Sequence, residues 1–174
     1  MENMRLKIFL PFLFFVLMLL DAQFTRLQEG LFSYHFFPIS GIFWIVAIPL
    51  VQKVSRRYLV ILFFVMGLLA DMYYTGIIGL YAFVFPVAIY FLYSARNVGN
   101  INVFTQMFSL IILLTSIHSV LFLENLLFNT EQVNFFRFVA DVLGPTLILN
   151  LVLFAILIFP LNRIVNGKGR QAAE

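Results

Sequence analysis

Apolar residues fill this chain in long runs separated by short polar stretches. Six runs stand out, at about residues 6–24, 36–52, 58–74, 77–93, 103–123 and 139–161. A straight helix across hydrocarbon needs about 20 predominantly apolar residues, so the pattern predicts a bundle of six transmembrane helices. The first run is apolar without a break from Ile8 to Leu20, which is also the form of a signal-peptide core. The Leu20-Asp21-Ala22 that follows is a poor cleavage site. The second run carries Pro38, Gly41 and Pro49, which predict a bent helix, since neighbours can satisfy the backbone groups that proline frees. The third and fourth runs are short for a crossing; the alternative for them is one buried helical hairpin that does not cross. No linker or low-complexity segment divides residues 1–174, so a single polytopic domain is expected.

Composition fixes the solvent. The chain is 63% hydrophobic and 11% charged, with 23 phenylalanines, whereas a soluble domain is about 25% charged. A water-soluble fold of this length has too little interior to bury that surface, so lipid must cover much of it. Cysteine is absent, which excludes disulfides and thiolate metal sites. The two histidines are far apart in sequence, so neither a metal nor a cofactor is expected.

The net charge of +3 is explained by where the charges sit, and nucleic acid need not be invoked. Six crossings put Arg5, Lys7, Lys53, Arg56, Arg57, Arg96, Arg163, Lys168 and Arg170 on one side, and only Arg26 and Arg137 on the other. Asp21, Glu29, Asp71, Glu124, Glu131 and Asp141 share the side of Arg26. The positive-inside rule then places both termini in the cytoplasm of a plasma membrane protein. The basic rim at Lys53, Arg56 and Arg57 serves that orientation and contact with anionic membrane lipid; a cytoplasmic partner would use the same residues.

The chain is organised around residues 67–81, where one apolar run ends, a carboxylate stands at the tip, glycines turn the backbone and the next run begins. On a helix Gly67, Ala70, Asp71 and Tyr74 share a face. In the following run Gly76, Gly79, Phe83, Pro86 and Tyr90 also fall on one face, so two tightly packed helices joined by a tight turn are expected. Small residues let helices approach closely. Asp71 therefore either caps the second helix, beside glycines that permit packing, or takes part in binding a partner. Elsewhere the chemistry is thin. Thr105, Ser109, Ser116 and Ser119 give the fifth run a weakly polar face suited to helix–helix hydrogen bonds. His118 points away from that face, as a packing histidine. Asn150, deep in the last run and opposite Asp141 and Pro145, must find a partner. No HExxH, GxSxG, P-loop or GxGxxG motif occurs; an intramembrane hydrolase or transferase would need Asp21, Asp71, Glu124 or Asp141 to converge on the outer face, and no enzyme activity is expected.

Gly67, Leu68, Asp71 and Gly79, with Ile78 where leucine is usual, resemble the signature of the bacterial rod shape-determining MreD family. In that family Gly-Leu-x-x-Asp is followed by a Leu-Gly-like pair that opens the next apolar helix. Pro145 and Asn150 resemble a proline that precedes an asparagine in the family's last helix. Length and hydropathy extend the resemblance over essentially the whole chain; the phenylalanine content departs from the family without touching these residues. The resemblance implies a non-enzymatic scaffold of the elongasome, which controls cell shape and lateral peptidoglycan synthesis. It implies binding to MreC, and links to RodA, a class B penicillin-binding protein and, indirectly, MreB. The candidate site is then Gly67, Leu68, Asp71, Gly76, Gly79, Pro145 and Asn150. MreD-like proteins also resemble, in their six-helix architecture, the substrate-binding S components of energy-coupling-factor vitamin transporters. An S component is thus the alternative, although the first run lacks the Ala-x-x-x-Ala with which many of those subunits dock.

Overall fold

A computed structural model of the chain describes residues 4–31, 39–76, 79–98, 102–128 and 134–167, and all regular structure among them is helical. The helices are α1 (Met4–Leu31), α2 (Ile42–Leu50), α3 (Arg56–Ala70), α4 (Leu80–Val98), α5 (Val103–Phe128), α6 (Phe135–Arg137) and α7 (Gly144–Gly167). A π-helical turn, Asp71–Thr75, prolongs α3, and a second, Phe138–Leu143, joins α6 to α7. Four stretches are long and apolar enough to cross a membrane: Lys7–Leu27, Arg56–Tyr74, Val103–Leu127 and Phe135–Val165. Leu80–Ser94 is apolar but shorter.

The second apolar run departs most from its expected form. Instead of one bent helix over 36–52, the described part enters as irregular backbone at Ile39–Gly41 and becomes helical only at Ile42. At 1.5 Å per residue α2 spans about 14 Å, roughly half of a hydrocarbon core. It lies inside the bundle, with Phe43, Trp44, Ile45, Ala47, Ile48, Pro49 and Leu50 all buried, and packs against α7, α1 and α5. Pro38 lies outside the described residues.

Phenylalanine serves both solvents. Phe14 of α1, Phe43 and Trp44 of α2, Phe63 of α3 and Phe85 of α4 form a continuous aromatic core. Its ring centroids stand 4.9 Å apart for Phe14 and Phe63 and 5.0 Å apart for Trp44 and Phe85. Such edge-to-face pairs add to simple burial. Phe12, Phe83, Phe104, Phe136 and Phe159 instead point outward, where lipid replaces water.

The tightest packing is between α3 and α4. A Cβ built on Gly67 would stand 2.4 Å from the Tyr81 carbonyl oxygen and 2.6 Å from the Ala82 Cα. Glycine is therefore what lets the two backbones meet. The connection turns at Gly76 (φ 69°) and Gly79 (φ 121°), a backbone region that side chains disfavour. Both glycines thus belong to the turn, and the helical face expected through Gly76, Gly79, Phe83, Pro86 and Tyr90 does not form, because α4 begins only at Leu80. Before α7, Pro145 has no N–H to donate to the Asp141 carbonyl. The helix widens there, and the Gly144 N–H reaches back to the Val139 oxygen.

At the end of the bundle opposite this hairpin tip, tyrosines tie elements together. The Tyr58 hydroxyl donates to the Lys7 carbonyl, and Tyr93 donates to the Val54 carbonyl at 2.5 Å. Arg56 stacks 3.7 Å from the Tyr90 ring centroid. Gln106 of α5 reaches Asn162 of α7 at 3.5 Å.

Replacing Gly67 with alanine should force α3 and α4 apart and cost about 1–3 kcal/mol, as overpacking does. Thermal unfolding in detergent measures this as a clear fall in midpoint, larger for Gly67→Leu. Phe83→Ala, at a position 70% exposed, should leave the midpoint nearly unchanged.

Candidate functional site

Asp71 is fully buried at the tip of α3, and its carboxylate is spent on the start of α4. Oδ2 accepts from the Gly79 N–H at 2.8 Å and the Ala82 N–H at 3.1 Å, and Oδ1 from the Tyr81 N–H at 2.6 Å. The first N–H groups of a helix have no intrahelical acceptor. A carboxylate supplies one and also favours the positive end of the helix dipole. Because Asp71 precedes the turn, this cap also closes the hairpin.

A second, larger cap organises the start of α2. Five consecutive backbone N–H groups each find a side-chain oxygen on α1 or α7. Ile39 donates to Thr146 Oγ1 at 3.0 Å, Ser40 to Thr25 Oγ1 at 3.2 Å and Gly41 to Asn150 Oδ1 at 2.7 Å. Ile42 and Phe43 donate to the two oxygens of Asp21 at 3.1 and 2.8 Å. Ser40 Oγ adds a bond to Asp21 at 2.7 Å. The Asn150 amide group completes the set by donating to the carbonyls of Ile39 and Thr146, both at 2.8 Å. Gly41 is needed for close approach, since a Cβ there would stand 2.9 Å from Asn150 Oδ1.

Between the two caps lies a cavity of about 480 Å³, walled by α1, the segment leading into α2, the hairpin tip, α4 and α5. Its lining is mostly aromatic and aliphatic, including Phe43, Trp44, Tyr74, Tyr81, Phe85 and Leu121, and it carries Asp21, Ser40, Arg26 and His118. Tyr74 bridges its wall by donating to the Met18 carbonyl at 3.1 Å. Arg26 lies over the Tyr73 ring, 5.9 Å from its centroid.

The residues singled out from the sequence thus fall into two places. Gly67, Leu68, Asp71, Gly76 and Gly79 build the hairpin, with Gly67 and Asp71 turned inward and Gly76 and Gly79 exposed in the turn. Asn150 belongs to the α2 cap, and Pro145, half-buried, stands beside Thr146 of that cap. The serine and threonine face of α5 stays apart from both. Ser116 is exposed and bonds its own helix, to the Ile112 carbonyl at 2.7 Å. His118 is buried against the cavity. Sequence reasoning counted Asp21 only among the outer-side acids, without a capping role, and passed over Thr25, Ser40 and Thr146. The available signal was an aspartate inside an apolar run followed by Ser40-Gly41 at the start of the next, which is cap chemistry split between two helices. Among the described residues no group of three metal-ligating side chains assembles.

Residues 2–166 match the family described as rod shape-determining protein MreD. The chain belongs to the MreD family. No curated protein and no solved structure gives a significant match, and nothing in these comparisons supports the transporter-subunit alternative. The match spans both caps and the cavity between them, so the hairpin is part of an MreD protein, and cell shape is its field of action.

Both caps should be visible in stability. Asn150→Leu leaves the Gly41 N–H and the Ile39 carbonyl without their side-chain partners, at about 1–3 kcal/mol for each orphaned group. Asp71→Ala should destabilise more than Asp71→Asn, which keeps one acceptor oxygen. Thermal unfolding in a single detergent ranks the four proteins; an Asp71→Ala protein as stable as the parent would remove the carboxylate from the turn's energetics.

Proposed function

We propose that this chain is a non-enzymatic, multi-pass subunit of the bacterial cell-elongation machinery that binds MreC and, with it, RodA and a class B penicillin-binding protein. MreB is reached indirectly, from the cytoplasmic side. Membership of the MreD family supports this reading. The observation that carries it is the surface of the hairpin tip. The inner face of α3 is consumed within the chain by Gly67 and Asp71, while Met72, Tyr73 and Tyr74 remain 71%, 41% and 43% exposed. Large side chains on a rigid, capped tip offer a partner's transmembrane or membrane-proximal segment an anchor of low entropic cost. Leu68, Gly76 and Gly79 act through the shape of that tip, and Asn150 and Pro145 through the placement of α2 and α7 behind it.

In this reading the chain crosses the membrane six times with both termini in the cytoplasm, α2 and its lead-in counting as one crossing. The pairing of ends supports it. Lys7 meets Tyr58, Val54 meets Tyr93, and Arg56 meets Tyr90 at one end, where the basic rim lies. Asp21, Asp71 and Arg26 gather at the other.

Affinity purification of the tagged protein from its native membrane, followed by mass spectrometry, tests the reading. MreC with RodA or a transpeptidase is expected; an ATPase pair with a large membrane coupling subunit would overturn it. A Met72→Glu/Tyr73→Glu double variant should lose MreC while keeping its unfolding midpoint. For the orientation, the chain has no cysteine, so single replacements report cleanly. Met72→Cys should react with an impermeant maleimide on intact spheroplasts, and Lys53→Cys only after lysis.

A further inference from the structure

The cavity between the two caps has the size of a small-molecule site, about 480 Å³ within the 300–1,000 Å³ range of such pockets. Its polar groups have a definite arrangement. Asp21 is 7% exposed and has no cation within ion-pair distance among the described residues, its oxygens meeting only Ser40 and the first N–H groups of α2. The rings of Phe43, Trp44, Tyr74, Tyr81 and Phe85 line the same cavity, and a cavity that combines a carboxylate with aromatic walls suits an ammonium group. Five residues further along α1, about 7.5 Å by helical rise, Arg26 lines the same cavity and is exposed. His118 is 5% exposed, lines the cavity and makes no hydrogen bond among the described residues. It is a buried polar group facing a space that a ligand would fill.

We propose that this cavity binds a short zwitterion, with its ammonium beside Asp21 and its anionic group toward Arg26, and that its occupant is the head group of an ethanolamine phospholipid. The phosphate takes the guanidinium, for which arginine is well shaped. His118 supplies a hydrogen bond to the head group. Ethanolamine is favoured over choline because its N–H groups can donate to the Asp21 carboxylate. This site is independent of the MreC reading, which concerns the outside of the hairpin tip.

Trp44 is the only tryptophan of the chain and lines the cavity, so its fluorescence reports occupancy. Full-length protein in a non-ionic detergent is titrated with dihexanoyl phosphatidylethanolamine, phosphatidylcholine and phosphatidylglycerol, and with free phosphoethanolamine. The expected result is a saturable Trp44 response to the ethanolamine lipid, weaker with choline and absent with glycerol. Arg26→Gln, at an exposed position, should weaken the ethanolamine lipid by about tenfold, the loss of one charge-assisted contact, with the unfolding midpoint unchanged. His118→Phe should weaken it as well. Free phosphoethanolamine binding as tightly as the lipid upholds the site and makes its source soluble; binding only as the lipid upholds the membrane source. An equal response to phosphatidylglycerol, or no saturation with any probe, overturns the proposal. A response to purified MreC but to no lipid also overturns it, and hands the cavity to the partner. Loss of MreC binding with the lipid response intact would count against the MreC reading alone.

Discussion

Hydrocarbon cannot hydrogen-bond an N–H group, and that one limit shapes this protein. A continuous helix meets it internally, but a helix that begins within the membrane presents unsatisfied donors. Any helix start shielded from water faces the same need, and this chain supplies it at two helices, α2 and α4, both times with an aspartate from another helix. Asp21 of α1 caps α2, and Asp71 at the end of α3 caps α4. Each carboxylate gains what a buried charge needs, directed donors and the positive end of a dipole. In exchange each helix acquires a fixed starting point. The irregular backbone at Ile39–Gly41 is tolerated because Thr25, Thr146 and Asn150 cover it.

The two caps build different kinds of rigidity. The α3–α4 hairpin is local: its cap joins residues eight to eleven apart in sequence, and Gly67 brings the two backbones into contact. The α2 cap is distributed, drawing on α1 and α7 at once. The aromatic core from Phe14 through Phe43 and Trp44 to Phe85 ties α1, α2 and α4 together, and Phe43, Trp44 and Phe85 also line the cavity between the caps. A capped tip with exposed aromatic residues and a cavity behind it follow from the same arrangement.

Much of this is legible in the sequence, and the reasons for the rest are physical. Long apolar runs at 63% hydrophobic composition mark the class and the helical content. Asp71 between two glycine-bearing runs points to the hairpin, with capping as one of its two readings, because cap and capped helix lie close in sequence. Asn150 is legible as an amide that must find a partner. What the sequence hides is the partner, since Gly41 lies 109 residues away and no local pattern links them. The shortness of α2 is hidden for the same reason. Hydropathy over 36–52 reads as one span, and only Thr25, Thr146 and Asn150, from elsewhere in the chain, allow Ile39–Gly41 to remain irregular. The cavity is wholly a product of packing, so its lining residues carry no motif.

The distributed cap bears on how the chain is made. Thr146 and Asn150 are synthesised more than a hundred residues after Ile39 and Gly41, a delay on the order of ten seconds at cellular elongation rates. By the end of that interval α1 and the α3–α4 hairpin have been made with all their capping partners, whereas the Ile39 and Gly41 N–H groups still lack their acceptors. The last helix therefore works as a latch: its insertion completes the second one, and a ribosome stalled before Thr146 would leave in the membrane a chain with a finished hairpin and an open α2 for quality-control proteases to find.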